Sequence, residues 1–197
     1  MTVLGPDFYE RPVLEVAADL IGCTVRHGGT AGVIVETEAY HEEEPACHAF
    51  IGLTARTRVL FGRPGTAYVY RSYGIHALLN AVCEREGIGA AVLIRALAPS
   101  EGLEAMMRRR AGKKQPLSDR ELCSGPGRLT QALGIELETN GSALTGAGPI
   151  RIEARKGPAS EVIVGPRIGI TKAVELPWRF CAASDPNVSR SWSRRGS

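Results

Sequence analysis

The sequence predicts a mixed α/β fold in one domain, with hairpins and a largely antiparallel sheet, and three observations predict it. Strand-like segments meet at tight glycine turns, Gly28-Gly29 and Ser72-Tyr73-Gly74, as hairpin partners do. Helix-like segments carry capping residues and glycine stops. The regular strand–helix–strand alternation of a doubly wound parallel sheet is missing. At 197 residues, 44% hydrophobic and 23% charged, the chain can bury one sizeable core.

The elements follow in order. Pro12 suits a first helical turn, "VLEVAADLI" (13–21) has apolar helical spacing, and Gly22 can end it. "CTVRH" (23–27) and "TAGVIVETEAY" (30–40) read as a hairpin around the glycine pair. Regular alternation puts Ile34, Glu36, Glu38 and Tyr40 on one face, and Val33, Val35, Thr37 and Ala39 on the other. Carboxylates are depleted in strands and costly to bury unpaired, so either that face meets water or one of the acids has a task. "HAFIGLTARTRVLFGRPG" (48–65) reads as a loop studded with arginines. "TAYVYRSYGIHALLNAVC" (66–83) reads as two strands around a turn at Gly74, and "AAVLIRAL" (90–97) as a buried strand. Arg95 inside that apolar run requires an acid or an oxygen-rich partner. Ser100 is placed to cap a helix over "EGLEAMMRRRAG", with Gly112 as its stop. Ser118 and Glu121 form a capping box, and "SGPGRLTQALG" (124–134) predicts a helix ended by Gly134. "PIRIEA", "SEVIVGPRIGI" and "WRFCAA" complete the strands.

Net charge is only +3, but its distribution is uneven. Five acids fall between Glu36 and Glu44. None falls from Pro45 to Cys83, where Arg56, Arg58, Arg63 and Arg71 stand. "MRRRAGKK" and the Arg/Ser-rich end add further basic runs, each either a solvated face or a phosphate contact. No apolar run approaches the roughly 20 residues of a membrane span, and the N-terminus lacks signal-peptide order, so an intracellular protein is expected. Five scattered cysteines with no C-x-x-C pair fit reduced thiols rather than a disulfide framework. His41 and His48 flank three glutamates without a metal-binding spacing, so no metal site is expected.

The residues that could carry chemistry are a strand acid beside a tyrosine with a histidine downstream (Glu38, Tyr40, His48), tyrosines on one strand face (Tyr68, Tyr70), a turn tyrosine (Tyr73) and the strand arginine Arg95. Aromatics and a histidine can sandwich a flipped planar base. A turn aromatic among arginines suits insertion between bases, and an acid beside such a pocket suits activation of water. The residues alone leave other readings open: a structural Glu38–Arg95 ion pair, a non-catalytic binder of damaged DNA, or a small-molecule or RNA-processing enzyme.

"VETEAYHEEEPACHAF", "RPGTAYVYRSYGIHALLN", "VLIRALAP" and "DRELCSGPGRLTQALGI", in this order within a match running from "DFYERPVLEVAADLIG" to "WRFCAASDPNVS", resemble the alkyladenine (3-methyladenine) DNA glycosylase family. The resemblance implies a single glycosylase domain over 1–197, with a curved antiparallel sheet, flanking helices and a protruding β-hairpin; the Arg/Ser-rich residues 190–197 read separately as either a disordered tail or a DNA contact. It implies release of 3-methyladenine, 7-methylguanine, hypoxanthine or ethenoadenine from duplex DNA approached through the minor groove. An abasic site would remain, without strand cleavage, metal or organic cofactor. The protein would act as a monomer, in the cytoplasm and nucleoid of a bacterium or the nucleus of a eukaryote.

By motif, Glu38 would be the general base and Arg95 would help hold the attacking water, with a backbone carbonyl near Ala182 sharing the task. The resemblance implies no catalytic role for Glu36. Tyr40, His48, Tyr70 and Asn80 would wall the base pocket. Tyr73 would be the wedge with Ile75 beside it, and Arg56, Arg58 and Arg71 would grip the DNA backbone. Thr57 stands where the family often has asparagine, altering either a DNA contact or a loop-ordering bond. Ile75 stands where methionine is frequent. Burial raises the pKa of Glu38 and Arg95 lowers it; the arginine is expected to keep the carboxylate charged.

Overall fold

A computed structural model of the chain describes residues 2–72, 74–111 and 117–190. Two short helices, α1 (Pro6–Tyr9) and α2 (Val13–Asp19), lead into β1 (Thr24–His27) and β2 (Thr30–His41). Then come β3 (Ala67–Ser72), β4 (His76–Val82) and β5 (Ala90–Glu101). Helices α3 (Leu103–Arg110), α4 (Asp119–Cys123) and α5 (Pro126–Leu133) precede β6 (Ile150–Glu153), β7 (Val162–Gly165) and β8 (Arg179–Ala182). The strands form one curved antiparallel sheet in the order β3-β4-β5-β2-β1-β6, with β8 also on β2 and β7 on β8. Strand β2 is its spine. It pairs with β5 along one edge, and along the other first with β1 and then, from Glu36 to Glu38, with β8.

Local chemistry accounts for the breaks between elements. Gly28 and Gly29 both take positive φ (52° and 77°), which a two-residue hairpin turn requires. The capping box is made: the Ser118 amide and hydroxyl both donate to Glu121 Oε2, at 3.0 and 2.7 Å. Helix α5 starts at Pro126 and stops at Gly134 in the left-handed region. The segment 48–65, expected as a loop, holds two short 3₁₀ turns, His48–Ile51 and Arg58–Phe61.

Two expectations are corrected. Ser100 does not cap a helix. Strand β5 runs on through it to Glu101 because β2 keeps offering partners, Pro99 to Gly32 and Glu101 to Ala31. The break comes at Gly102 (φ 72°), where a Cβ would lie 2.6 Å from the Gly29 carbonyl oxygen, and α3 begins after it. The predicted stop Gly112, with the lysines after it, lies outside the described residues. The basic run is also partly structural. Arg109 donates to the Ala132 carbonyl at 2.9 Å, and Arg110 to Gln131 Oε1 at 2.7 Å, so both secure the last turn of α5. The Arg/Ser-rich tail lies outside the described residues from Ser191 onward.

The core packs α2 on β2 and β5, and α5 on β4 and β5. Leu20, Ile34, Ile94, Leu97, Leu129 and Leu133 are wholly buried there, each contributing about 1.5–3 kcal/mol over an exposed side chain. The Thr37 hydroxyl donates to the Ala17 carbonyl at 2.8 Å, pinning α2 to the middle of β2. A smaller apolar cluster (Cys47, Ala49, Leu60, Tyr68, Val82, Ala91) seats segment 47–61 against β3, β4 and β5. The five cysteines are buried and unpaired.

Candidate active site

Two compensating bulges aim the chemistry of β2 and β5. Val35 has no partner on β5, and Arg95 none on β2, so the register slips by one residue and recovers. A bulge re-aims the side chains around it. Arg95 turns towards both acids of β2: Nε donates to Glu36 Oε1 at 2.9 Å and Nη1 to Glu38 Oε2 at 3.2 Å. Both carboxylates are wholly buried.

The two acids have different surroundings. Glu36 also accepts from Arg179 Nε at 2.8 Å, from the Ser189 amide at 2.6 Å and from the Ser189 hydroxyl at 2.9 Å. Burial pushes its pKa up, but Arg95 and Arg179, aided by the Ser189 amide, prevail and hold it below the usual carboxylate range. Among the arginines, Arg95 is the hydrogen-bond donor to Glu38. Glu38 Oε2 also accepts from the Tyr40 hydroxyl at 2.7 Å, and Oε1 accepts from the Ile168 amide at 2.7 Å. Here burial wins over Arg95, the Ile168 amide and the Tyr40 hydroxyl, so the pKa is raised. Burial outweighs its donors at Glu38 but not at Glu36, because the Arg95 guanidinium serves both acids and Arg179 and Ser189 hold only Glu36.

A cavity of about 790 Å³ opens in front of this pair. Tyr40, His48, Tyr68, Tyr70, Asn80 and Arg95 line it, together with Ile168 to Lys172 and the start of α5. Gly127 brings α5 close to the hairpin: a Cβ there would sit 2.8 Å from the His76 side chain. Glu38 does not line the cavity itself. The three groups that donate to it, on Tyr40, Arg95 and Ile168, all do, so the carboxylate stands one layer behind the wall. With three donors engaged, Oε1 retains one acceptor position.

The aromatic wall is ordered. Tyr68 and Tyr70 stack with centroids 5.3 Å apart, and His48 meets Tyr70 edge-on at 4.6 Å. His48 Nδ1 lies 3.1 Å from the Tyr68 hydroxyl. Burial, then the nearby Arg56, push the His48 pKa below its usual value, which favours the neutral ring. Asn80 Nδ2 donates to the Tyr68 carbonyl at 3.0 Å. Among the described residues, His41 turns instead to Glu43 and Glu84 at 3.7 and 3.6 Å, so the two histidines flanking the acidic run do not converge.

The fold thus brings together Tyr40, His48, Tyr70, Asn80 and Arg95, with Arg56 and Arg71 also on the lining. Arg58 is exposed but off it, at the start of the second 3₁₀ turn. Ile75 stands 73% exposed at the hairpin tip, and Tyr73 lies outside the described residues. Thr57 is buried and spends its hydroxyl on the Gly52 carbonyl (2.8 Å) and on Thr54, so of the two alternatives it orders the loop. Ala182 follows Cys181, the partner of Glu36, and does not line the cavity; the backbone that meets Glu38 belongs to Ile168. Sequence reasoning missed Ile168, whose contribution is an amide without a side-chain signal. It noticed Tyr68 without giving it a place at the site, although its two-residue spacing from Tyr70 marked the shared face.

The family model for methylpurine-DNA glycosylase matches residues 7–186. A protein of Rhodopseudomonas palustris is 53% identical over 194 residues, covering 96% of this chain and 94% of that one. One of Bradyrhizobium diazoefficiens is 57% identical over 188 residues (95% and 90%), and one of Rubrobacter xylanophilus 51% identical over 166 (82% and 84%). Each carries the name "Putative 3-methyladenine DNA glycosylase". With the match spanning the hairpin, the acid-bearing strand and the whole cavity lining, the chain belongs to the methylpurine-DNA glycosylase family.

Proposed function

We propose that the protein excises damaged purines from duplex DNA, with alkylated bases of the 3-methyladenine and 7-methylguanine kind and hypoxanthine or ethenoadenine as substrates. The observation that carries this reading is the buried Glu38 carboxylate, held directly behind the wall of an aromatic cavity by groups that line that cavity.

In this reading the target nucleotide leaves the stack, at a cost of a few kcal/mol. Tyr73, with Ile75 beside it, fills the gap from the minor-groove side. The purine enters between Tyr40, Tyr70 and His48, with Asn80 against its edge. A cationic alkylpurine gains from the tyrosine faces by cation–π attraction. The bond from C1′ to the base nitrogen breaks with its electron pair going to the base, leaving an oxocarbenium-like sugar. Water adds to C1′ and gives its proton to Glu38, while Arg95 holds the carboxylate and the incoming oxygen in place. A positively charged base departs neutral; a neutral base must collect a proton. The product is an abasic site in an uncut strand, made without metal or cofactor by a monomer.

The test is release of free base from methylated duplex DNA in the presence of chelator, for the native chain and for Glu38→Gln. The expected result is release by the native chain, abasic sites without strand breaks, and loss of release in Glu38→Gln by at least about a hundredfold with lesion binding kept. Undiminished release by Glu38→Gln would sink the assignment of the base. Lesion binding by a native chain that releases nothing would make the protein a damage binder.

A further inference from the structure

Arg167 has a side chain with no solvent exposure, in a segment whose sequence gave it no part in the site. Its fork grips Glu44 with both ends, Nη1 to Oε1 at 2.6 Å and Nη2 to Oε2 at 2.9 Å. Nη1 also donates to the Ala39 carbonyl at 3.0 Å. The guanidinium carbon lies 4.7 Å from the centre of the Tyr40 ring and 5.3 Å from that of Trp178. An ion pair buried this deeply is a poor source of stability compared with apolar residues of the same volume. What it supplies is geometry: a planar fork fixes both the direction and the distance of what it holds.

Three segments meet at this fork. One is the end of β2, through the Ala39 carbonyl and the face of Tyr40. The second is the turn at Glu44, whose Oε2 also accepts from the Ala46 amide at 2.8 Å and so shapes the approach to His48. The third is the segment of Arg167 itself, whose next residue, Ile168, sends its amide to Glu38 Oε1. Two of the three donors to Glu38, the Tyr40 hydroxyl and the Ile168 amide, are therefore seated by one side chain.

We propose that Arg167, clasped by Glu44, is a positioning residue for base excision: it seats the Tyr40 ring and the Ile168 amide so that both hold Glu38 in its working geometry. This rests on the function proposed above. Glu38 is faced by Glu36 and Tyr40 from β2, Arg95 from β5, Tyr70 from β3, Cys181 from β8 and Arg167. Tyr40, Tyr70 and Cys181 are pushed up by burial and stay protonated, so the charges near Glu38 include those of Glu36, Arg95 and Arg167, with Arg179 beyond on Glu36. Loosening two donors, or losing the Arg167 charge, makes the Glu38 carboxylate harder to ionise; both effects have the same sign.

The experiment follows single-turnover release of 7-methylguanine from duplex DNA against pH, for the native chain, Arg167→Met, Arg167→Lys and Glu44→Gln, each held well below its own unfolding midpoint. Arg167→Met should release base at least about tenfold more slowly at neutral pH, with the acid limb of its profile moved to higher pH. Arg167→Lys, which keeps the charge but loses fork and stacking, should recover at most part of the limb shift and not the rate. Glu44→Gln should shift both the same way by less, and it decides the matter if Arg167→Met does not fold. A folded Arg167→Met or Glu44→Gln with the native rate and limb, or full recovery by lysine, overturns the proposal while leaving the proposed function standing. A native chain that releases no base overturns both.

Discussion

The Tyr40 hydroxyl donates a hydrogen bond to Glu38 Oε2, two residues before it on the same strand, at 2.7 Å. Each needs the other in one protonation state. Burial, and then the Glu38 charge, keep the tyrosine protonated, and the protonated hydroxyl in turn favours the carboxylate. In the proposed function, the same tyrosine would both wall the base pocket and support the general base.

Tyr40→Phe separates the two roles, because it keeps the ring and removes the donor. A hydrogen bond to a charged group is worth roughly 1.5–3 kcal/mol, so base release at neutral pH should fall about 10- to 100-fold. Affinity for lesion-containing duplex should change little. Equal losses in binding and in release rate would mean that the hydroxyl serves the base rather than Glu38.

Because burial raises the Glu38 pKa, the acid limb of cationic base release should lie above the usual carboxylate value of 4.5. The sign follows from the role: water needs the carboxylate, and a group with a raised pKa gives it up earlier as pH falls. A rate profile with its limb at or below 4.5 contradicts this. Linkage to stability runs the other way from the common carboxylate case. Folding favours protonated Glu38, so its contribution is full below the unfolded value and is lost as pH rises through the folded one.

Glu36 has the opposite linkage. Its lowered pKa contributes stability above the unfolded value that is lost as pH falls through the folded one. Glu36→Ala leaves Arg95 and Arg179 facing a buried gap, and should cost about 3–5 kcal/mol at neutral pH. The penalty should shrink in acid, where the native carboxylate is protonated too. Denaturant unfolding at the two pH values measures it, and a penalty that does not depend on pH would show that packing rather than charge is lost.

Local signals in the sequence were enough for the β1–β2 and β3–β4 hairpins, the capping box of α4 and the end of α5, since each rests on residues a few positions apart. They also sufficed to mark Arg95 as an arginine in need of an acid. They could not say how it meets two acids at once, because that depends on paired bulges at Val35 and Arg95 on different strands. They failed at Ser100, where a good capping residue is overruled by β2, which still had partners to offer. Arg167 and Glu44 were hidden for the same reason. They lie 123 positions apart, and the glutamate sits in an acidic run that reads as a solvated turn. Turn chemistry is local; a site assembled from β2, β3, β5 and the segment before β8 is not.

The exposed arginines should act through phosphate and not through sequence. Arg56 and Arg71 line the cavity and Arg58 stands away from it, so a duplex laid over the opening meets the first two before the third. Each phosphate contact removed should lower the slope of log affinity against log salt by about 0.9. Arg56→Ala and Arg71→Ala are each expected to lose about that much, for damaged and undamaged duplexes alike, with the rate of base release from saturated complexes unchanged in Arg71→Ala. Arg58→Ala reports how far the footprint extends past the rim. Binding titrations across a salt series decide it: an unaltered slope in both rim variants would place the DNA on another face, and a loss confined to damaged duplex would make these arginines readers of the lesion.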